Sequence, residues 1–248
     1  MKRTIKISIW SAVIIIALAV IFFVGYGVKA KSEGKKMTPA ETGQIIDSIF
    51  TIKDTFVNLY LIKSGDRYIA VDAGNSIDGV KEGLAKLNIC PDSIVSILLT
   101  HTDGDHVAAI KLFPNASIYI SKQEETLING KKSRFLFFGN SIAGRSYTTL
   151  TDKQIITPLH LKIQGILVPG HTPGSMSYLI NDRYLFTGDA LCLKDGKICG
   201  FNKFFNMDTK TALQSMGKLT NIQGVEYIFT AHYGFTNSYN EAVKDWGK

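Results

Sequence analysis

The hexapeptide His101-Thr102-Asp103-Gly104-Asp105-His106 places two imidazoles and two carboxylates within six residues. Imidazole and carboxylate are the side chains that suit zinc and iron. The hexapeptide directly follows the apolar run 94–99, and strand C-termini are where α/β sheets tend to carry their sites. Polar groups this dense would be costly in a core. The other histidines are His160, His171 and His232. His171 lies in the turn-rich stretch Val168-Pro169-Gly170-His171-Thr172-Pro173-Gly174, and His232 follows the short apolar run 227–231. Asp72 and Asp189 each end a further apolar run, in Val71-Asp72-Ala73-Gly74 and Thr187-Gly188-Asp189. All but His160 therefore sit at strand ends or in glycine turns, where ligands converge. His160, within Pro158-Leu159-His160-Leu161, reads as a half-buried strand residue with no metal role.

The hydrophobic pattern supplies the elements that must position these groups. Residues 45–52, 56–63 and 67–71 are apolar-rich and read as strands, with Ser64-Gly65-Asp66 as a hairpin turn. Ile77, Val80, Leu84 and Leu87 fall at helical spacing behind Ser76, a candidate N-cap. A helix is expected at 105–112, a strand at 117–120 and a helix from about Ser121. Strands at 161–167, 176–180, 183–186 and 227–230 and a helix at 209–219 complete the second half. Strand pairs alternating with helices point to an α+β fold, a sheet sandwich with outer helices.

Residues 7–28 carry no charge. As a helix, 22 residues span about 33 Å, enough for a bilayer core of roughly 30 Å. The stretch is longer than the apolar region of about 7–15 residues usual in a cleaved signal peptide. The expected organisation is a membrane anchor at 1–30, a polar tether at 31–43 and a catalytic domain at 44–248. The chain would then be a single-pass cell-membrane protein with a cytoplasmic N-terminus and the enzyme outside. Seven Lys/Arg and one Glu fall within 1–36, so +6 of the net charge of +7 resides there and 37–248 carries +1. No nucleic-acid partner is expected from so nearly neutral a domain. Nothing in the chain fixes its oligomeric state.

Cys90 reads as a small buried hydrophobe. Cys192 and Cys199 face each other across a hairpin built on Asp195-Gly196, where a bridge is open but the rung geometry is awkward. The loop 130–150 holds Lys131, Lys132, Arg134 and Arg145 among Phe135, Phe137, Phe138 and Tyr147, with no acidic residue. It reads either as a lid over the site, suited to an anionic or amphiphilic substrate, or as a solvated loop whose aromatics rest on core or membrane.

In their order along the chain these landmarks resemble the metallo-β-lactamase superfamily: Asp72 at a strand end, the 101–106 cluster, His171 in its turn, Asp189 after glycine, and a final His232. One position departs from the pattern, since Asp103 stands where the family carries the second histidine of His-x-His-x-Asp-His. The resemblance implies the αββα fold and a pair of divalent metal ions. These would be zinc, or iron or manganese in response to the harder oxygen of Asp103. It assigns His101, Asp103 and His171 to the first metal and Asp105, His106 and His232 to the second. Asp189 would bridge, and Asp72 would orient a ligand from behind. The implied activity is metal-dependent hydrolysis of an ester, lactone, thioester or phosphodiester, in a small-molecule or a lipid or cell-wall substrate. A hydroxide held between the metals would be the nucleophile, and Asp105 would orient it and pass its proton to the leaving group. Glutathione-thioester hydrolases of the superfamily carry a further helical domain, and with 16 residues after His232 that branch is not the one expected. Asp189 argues against a true β-lactamase. A diiron redox enzyme related to flavodiiron proteins, which carry glutamate at the Asp103 position, and a non-catalytic metal-containing binding domain remain the alternatives.

Overall fold

The computed structural model describes residues 9–46 and 48–247. It divides into two compact units, 1–37 and 38–248. The first unit holds the helix α1 (Ile9–Gly34), where Glu33 pairs with Lys29 within the helix at 2.6 Å and with Lys36 just past its end at 2.8 Å. Its Ser11–Gly34 stretch is long and apolar enough to cross a membrane by length and composition. Lys2, Arg3, Lys6, and Ile7 at the head of the expected span lie outside the described residues. The helix runs four residues into the stretch read as a tether.

The second unit is a four-layer sandwich. Its first sheet has the order β1 (Gly43–Ile46), β2 (Ile49–Asp54), β3 (Val57–Ser64), β4 (Arg67–Val71), β5 (Ile94–Leu98), β6 (Ser117–Ser121) and β7 (Thr148–Leu150). The strands β4 to β7 pair in parallel. The second sheet is assembled from β8 (Ile155–Ile156), β9 (Ile163–Leu167), β10 (Met176–Ile180) and β11 (Tyr184–Gly188). The hairpin β12 (Leu191–Lys194) and β13 (Lys197–Gly200) stands apart from both sheets. The chain then returns to the second sheet with β14 (Tyr227–Thr230), parallel to β11, and β15 (Phe235–Thr236).

Period-two alternation builds the layers. On β3, Tyr60 and Ile62 enter the core between the sheets, while Leu59 and Leu61 face the helical layer. On β11 and β14, Tyr184, Phe186 and Phe229 point between the sheets, and Leu185 and Ile228 point outward under α5 (Thr209–Met216) and α6 (Tyr239–Val243). Every one of these side chains is buried. On the other outer face lies α2 (Ile77–Lys86), started by the Ser76 hydroxyl accepting the Gly79 N–H at 3.0 Å and seated by Val80 and Leu84.

Several local expectations change. The run 45–52 is two antiparallel strands, because the chain reverses between Ile46 and Ile49, which are register partners. The helix expected at 105–112 is the single turn α3 (Gly104–Val107) followed by a separate 3₁₀ turn, Ile110–Leu112. Ser121 ends β6, and α4 (Glu125–Ile128) begins four residues later. His160 lies in a 3₁₀ turn with φ 62° and is exposed, far from the half-buried strand expected. Cys90 is exposed as the N-cap of the Pro91–Ser93 turn, because the proline that follows ends the buried run at Ile89. Cys192 and Cys199 are register partners on the hairpin and are joined by a disulfide.

Candidate metal centre

Seven side chains converge at the ends of β5, β9, β11 and β14. His101, Asp103, Asp105 and His106 follow β5, and His171 lies in the turn between β9 and β10. Asp189 follows β11 and His232 follows β14. Two glycines make this approach possible. Gly188 has φ 53°, and a Cβ there would meet Thr100. Gly170 has φ 140°, and a Cβ there would run into the backbone of Ala212. Both positions favour the residue without a side chain.

The imidazoles share one orientation. Each Nδ1 faces away from the centre: His101 to Thr100 Oγ1 at 3.1 Å, His106 to Asp72 Oδ2 at 2.8 Å, His171 to Asn206 Oδ1 at 3.3 Å and His232 to Phe56 O at 2.7 Å. The Thr100 hydroxyl donates to Asp72, so it receives the proton on His101 Nδ1. With Nδ1 protonated in all four, the Nε2 lone pairs turn inward.

Around the centre the donor atoms form two overlapping sets. Asp189 Oδ2 is 3.4 Å from His171 Nε2 and 4.0 Å from His101 Nε2. Asp189 Oδ1 is 3.2 Å from His232 Nε2 and 3.6 Å from His106 Nε2. One carboxylate therefore faces both halves with separate oxygens. Asp103 Oδ2 closes the first half, 3.1 Å from His171 Nε2 and 3.6 Å from His101 Nε2. Asp105 Oδ2 closes the second, 3.6 Å from His106 Nε2 and 3.5 Å from His232 Nε2. Donors about 2.1 Å from a tetrahedral ion lie about 3.4 Å from one another, so the residues fit divalent metal. His101 Nε2, His106 Nε2 and Asp189 Oδ1 are buried and find no hydrogen-bond partner among the described residues. Such atoms are costly unless something completes them. Asp103 and Asp105, with side chains 16 % and 23 % exposed, form the open side.

The electrostatics match this picture. Burial would raise the Asp189 carboxyl, but His232, His106 and His171 outweigh it and hold it low. Burial would also raise Asp103, which His101, His171 and Arg134 hold well below the usual carboxylate range. Burial lowers His171. It would lower His106 and His232 as well, yet Asp105, Asp72 and Asp189 raise the first well above its ordinary value, and Asp189 raises the second.

His160 takes no part in the cluster, and Asp72 stands behind His106. The loop 130–150 divides its roles. Arg134 reaches the site, donating to both oxygens of Asp103, and Asn140 Nδ2 donates to Asp103 Oδ1 at 3.0 Å. Arg145 turns away and caps the carbonyls of Ile110, Phe113, Pro114 and Ala116, while Leu136, Phe137 and Phe138 are exposed. Sequence reasoning missed Glu124. Fully buried, it accepts the N–H and hydroxyl of Thr102 at 2.8 and 2.7 Å and the hydroxyl of Thr172 at 2.7 Å, tying the two ligand loops together. It also missed Phe56, which stacks on His232, and Phe201, whose ring meets His171 edge-on. No spacing rule marks any of the three.

A family model of the metallo-beta-lactamase superfamily matches residues 52–232, and the chain belongs to that superfamily. It is 30 % identical over 153 residues to a probable metallo-hydrolase of Methanocaldococcus jannaschii, covering 62 % of this chain and 64 % of that protein. It is 34 % identical over 135 residues to the probable polyketide biosynthesis zinc-dependent hydrolase BaeB of Bacillus velezensis, covering 53 % of each. The chain thus spans between half and two thirds of the length of these relatives. Among solved structures, a metallo-beta-lactamase family protein of Thermus thermophilus superposes with a TM-score of 0.63 at 18 % identity, over 81 % of this chain and 78 % of that one. A B3 metallo-beta-lactamase with an active-site glutamic acid gives 0.64 at 17 %, over 87 % and 92 %. At these identities the structures share the αββα fold.

Proposed function

We propose that the chain is a membrane-anchored hydrolase with a dinuclear metal centre. His101, Asp103 and His171 would hold one ion, Asp105, His106 and His232 would hold the other, and Asp189 would serve both. The observation that carries this reading is the split of Asp189, one oxygen facing each set of imidazoles. Bound divalent ions would supply a water ionised near neutral pH and a Lewis acid for the substrate oxygen. The chain's own residues do the rest. Asp72, Asn206, Thr100 and the Phe56 carbonyl fix the imidazoles so that no reorganisation is needed. Asp105, on the open side, orients the nucleophile and returns its proton to the leaving group. Phe56 and Phe201 cover the flanks of His232 and His171 and limit access of bulk water.

The relative named as a probable zinc-dependent hydrolase favours zinc. A second relative, a hydroxyacylglutathione hydrolase of Buchnera aphidicola that is 34 % identical over 170 residues (66 % of this chain and 58 % of that protein), favours a carbonyl ester or thioester over a phosphodiester. The basic residues and exposed aromatics of the 130–150 loop favour an anionic or amphiphilic acyl substrate, a lipid or cell-wall component included. Placement of the domain outside the membrane is supported by the Cys192–Cys199 disulfide, since such bonds persist in oxidising compartments. The test is elemental analysis of the full chain in detergent, paired with chromogenic esters, lactones, thioesters and phosphodiesters. About two metal ions per chain and chelator-sensitive turnover of an acyl substrate are expected. Metal without turnover of any class would support the non-catalytic reading, and redox-active iron with an electron-donor requirement would support the diiron one.

A further inference from the structure

Among the described residues, Arg134 is the cationic side chain that pairs with a carboxylate of the centre. Its Nε donates to Asp103 Oδ1 at 2.7 Å and approaches Oδ2 at 2.9 Å, and its Nη2 donates to Asp103 Oδ2 at 2.7 Å. The same Nη2 donates to the Phe205 carbonyl at 2.7 Å and lies 3.3 Å from His171 Nε2. One guanidinium nitrogen therefore faces two of the three donor atoms of the first set, Asp103 Oδ2 and His171 Nε2. Among the described residues the second set has no equivalent, and the ion pairs of Asp105, His106 and His232 run only to one another, to Asp72 and to Asp189.

A guanidinium stays charged at every accessible pH, and its planar fork matches a carboxylate on two bonds. A divalent ion drawing on the same oxygen and the same imidazole meets both a steric rival and a like charge within contact range. We propose that Arg134 is a built-in occupant of the first donor set. A metal must displace it from Asp103 Oδ2 and His171 Nε2, so the two sites fill in order: Asp105–His106–His232–Asp189 first, His101–Asp103–His171 second. Arg134 sits on a loop anchored at Arg145 and Asn140, so its side chain can withdraw while the loop keeps its footing. The departure from the family pattern at Asp103 is what makes this possible, since an imidazole there would offer no forked acceptor. This inference rests on the two-metal reading above and specifies its regulation.

The test is a zinc titration of the full chain in detergent after chelator stripping, against a competing chelator and with bound metal counted by elemental analysis. The wild type should show two steps, the second at least tenfold weaker. Arg134→Gln should tighten the second step at least tenfold and leave the first within twofold. Arg134→Lys keeps the charge and loses the fork, so it should fall between them, and it serves as the readout if the glutamine variant does not fold. Lys132→Ala removes the same charge from the same loop without touching Asp103 and should match the wild type. The proposal is overturned if the second step is unchanged or weaker in both Arg134 variants, or if Lys132→Ala moves it as far. A wild type with one step, joined by two steps in Arg134→Gln, supports it. No zinc bound by any of the four proteins would overturn the two-metal reading itself.

Discussion

Asp72 Oδ2 lies 2.8 Å from His106 Nδ1, while its Oδ1 accepts the Thr100 N–H at 2.7 Å. One carboxylate so fixes both the imidazole and the backbone from which the 101–106 loop departs. Asp72 does this from φ 64°, a region that aspartate and asparagine tolerate better than alanine. Asp72→Ala should lower zinc affinity about 10- to 100-fold, the usual effect of removing the partner behind a ligand histidine. Asp72→Asn keeps the backbone and one acceptor oxygen and should lose less. A chelator-competition titration of the three proteins reads this directly, and equal affinities would remove the orienting role.

Asp189 and His160 make a contrasting pair. Asp189→Ala removes the oxygen facing each half of the centre, so metal content and turnover should fall together. His160→Ala changes an exposed turn and should leave both nearly unchanged. Loss of metal in the second variant and not the first would refute the ligand assignment.

Metal removal should reverse the pH dependence of stability. Burial alone would lower His106, but Asp105, Asp72 and Asp189 raise it well above its ordinary value. A histidine raised on folding contributes stability that is complete below its unfolded pKa of about 6.5 and is lost as pH rises through the folded pKa. His232 acts in the same sense. His171, lowered by burial, instead costs stability as pH falls below about 6.5. The chelated protein should therefore melt at lower temperature as pH rises from about 6.5, while zinc, which displaces those protons, should protect increasingly over the same span. Melting curves with and without chelator check this, and a chelated midpoint that climbs with pH would contradict it.

The histidines and aspartates of the centre were legible because chemistry restricts them to few residue types and topology puts them at strand ends. His101, Asp103, Asp105, His106, His171, Asp189 and His232 all meet where the strands stop. The layers were legible for a similar reason, since alternation along β3 or β11 records which face is buried. Glu124 was not legible. Its role comes from three hydrogen bonds across loops 22 and 48 residues away, and a glutamate ahead of a short helix carries no mark of that. His160 misled because its leucine neighbours suggest a strand, whereas Leu159 and His160 both take positive φ and break one. The 130–150 loop was legible as basic and aromatic, but only tertiary structure separates Arg134, on Asp103, from Arg145, on backbone carbonyls.

Membrane topology has its own test. If residues 7–28 form an uncleaved anchor with the domain outside, protease added to intact cells should remove the domain. Mass spectrometry of the membrane fraction should then find residues 1–6 still attached to the apolar segment. A soluble mature protein starting near Lys31, or a domain protected until the cells are lysed, would sink that arrangement.

Asp103 is the position at which the chain leaves its superfamily's pattern, and its substitution separates metal choice from metal capacity. A carboxylate brings a charge and a hard oxygen where imidazole brings neither. Asp103→His should raise zinc occupancy relative to iron and manganese, with the fold unchanged. Asp103→Ala should lose the first metal preferentially, because Asp105, His106, His232 and Asp189 remain. Both changes also free Arg134 from its carboxylate, leaving a partly buried guanidinium beside His171. Each should therefore be repeated with Arg134→Gln, so that a cation stranded at the site is not mistaken for a lost ligand. Metal stoichiometry is measured on all the variants after loading from one mixed solution of zinc, iron and manganese. If wild type, Asp103→His and Asp103→Ala bind the same metals in the same ratio, with and without Arg134, Asp103 is no ligand and its whole role is to hold the arginine.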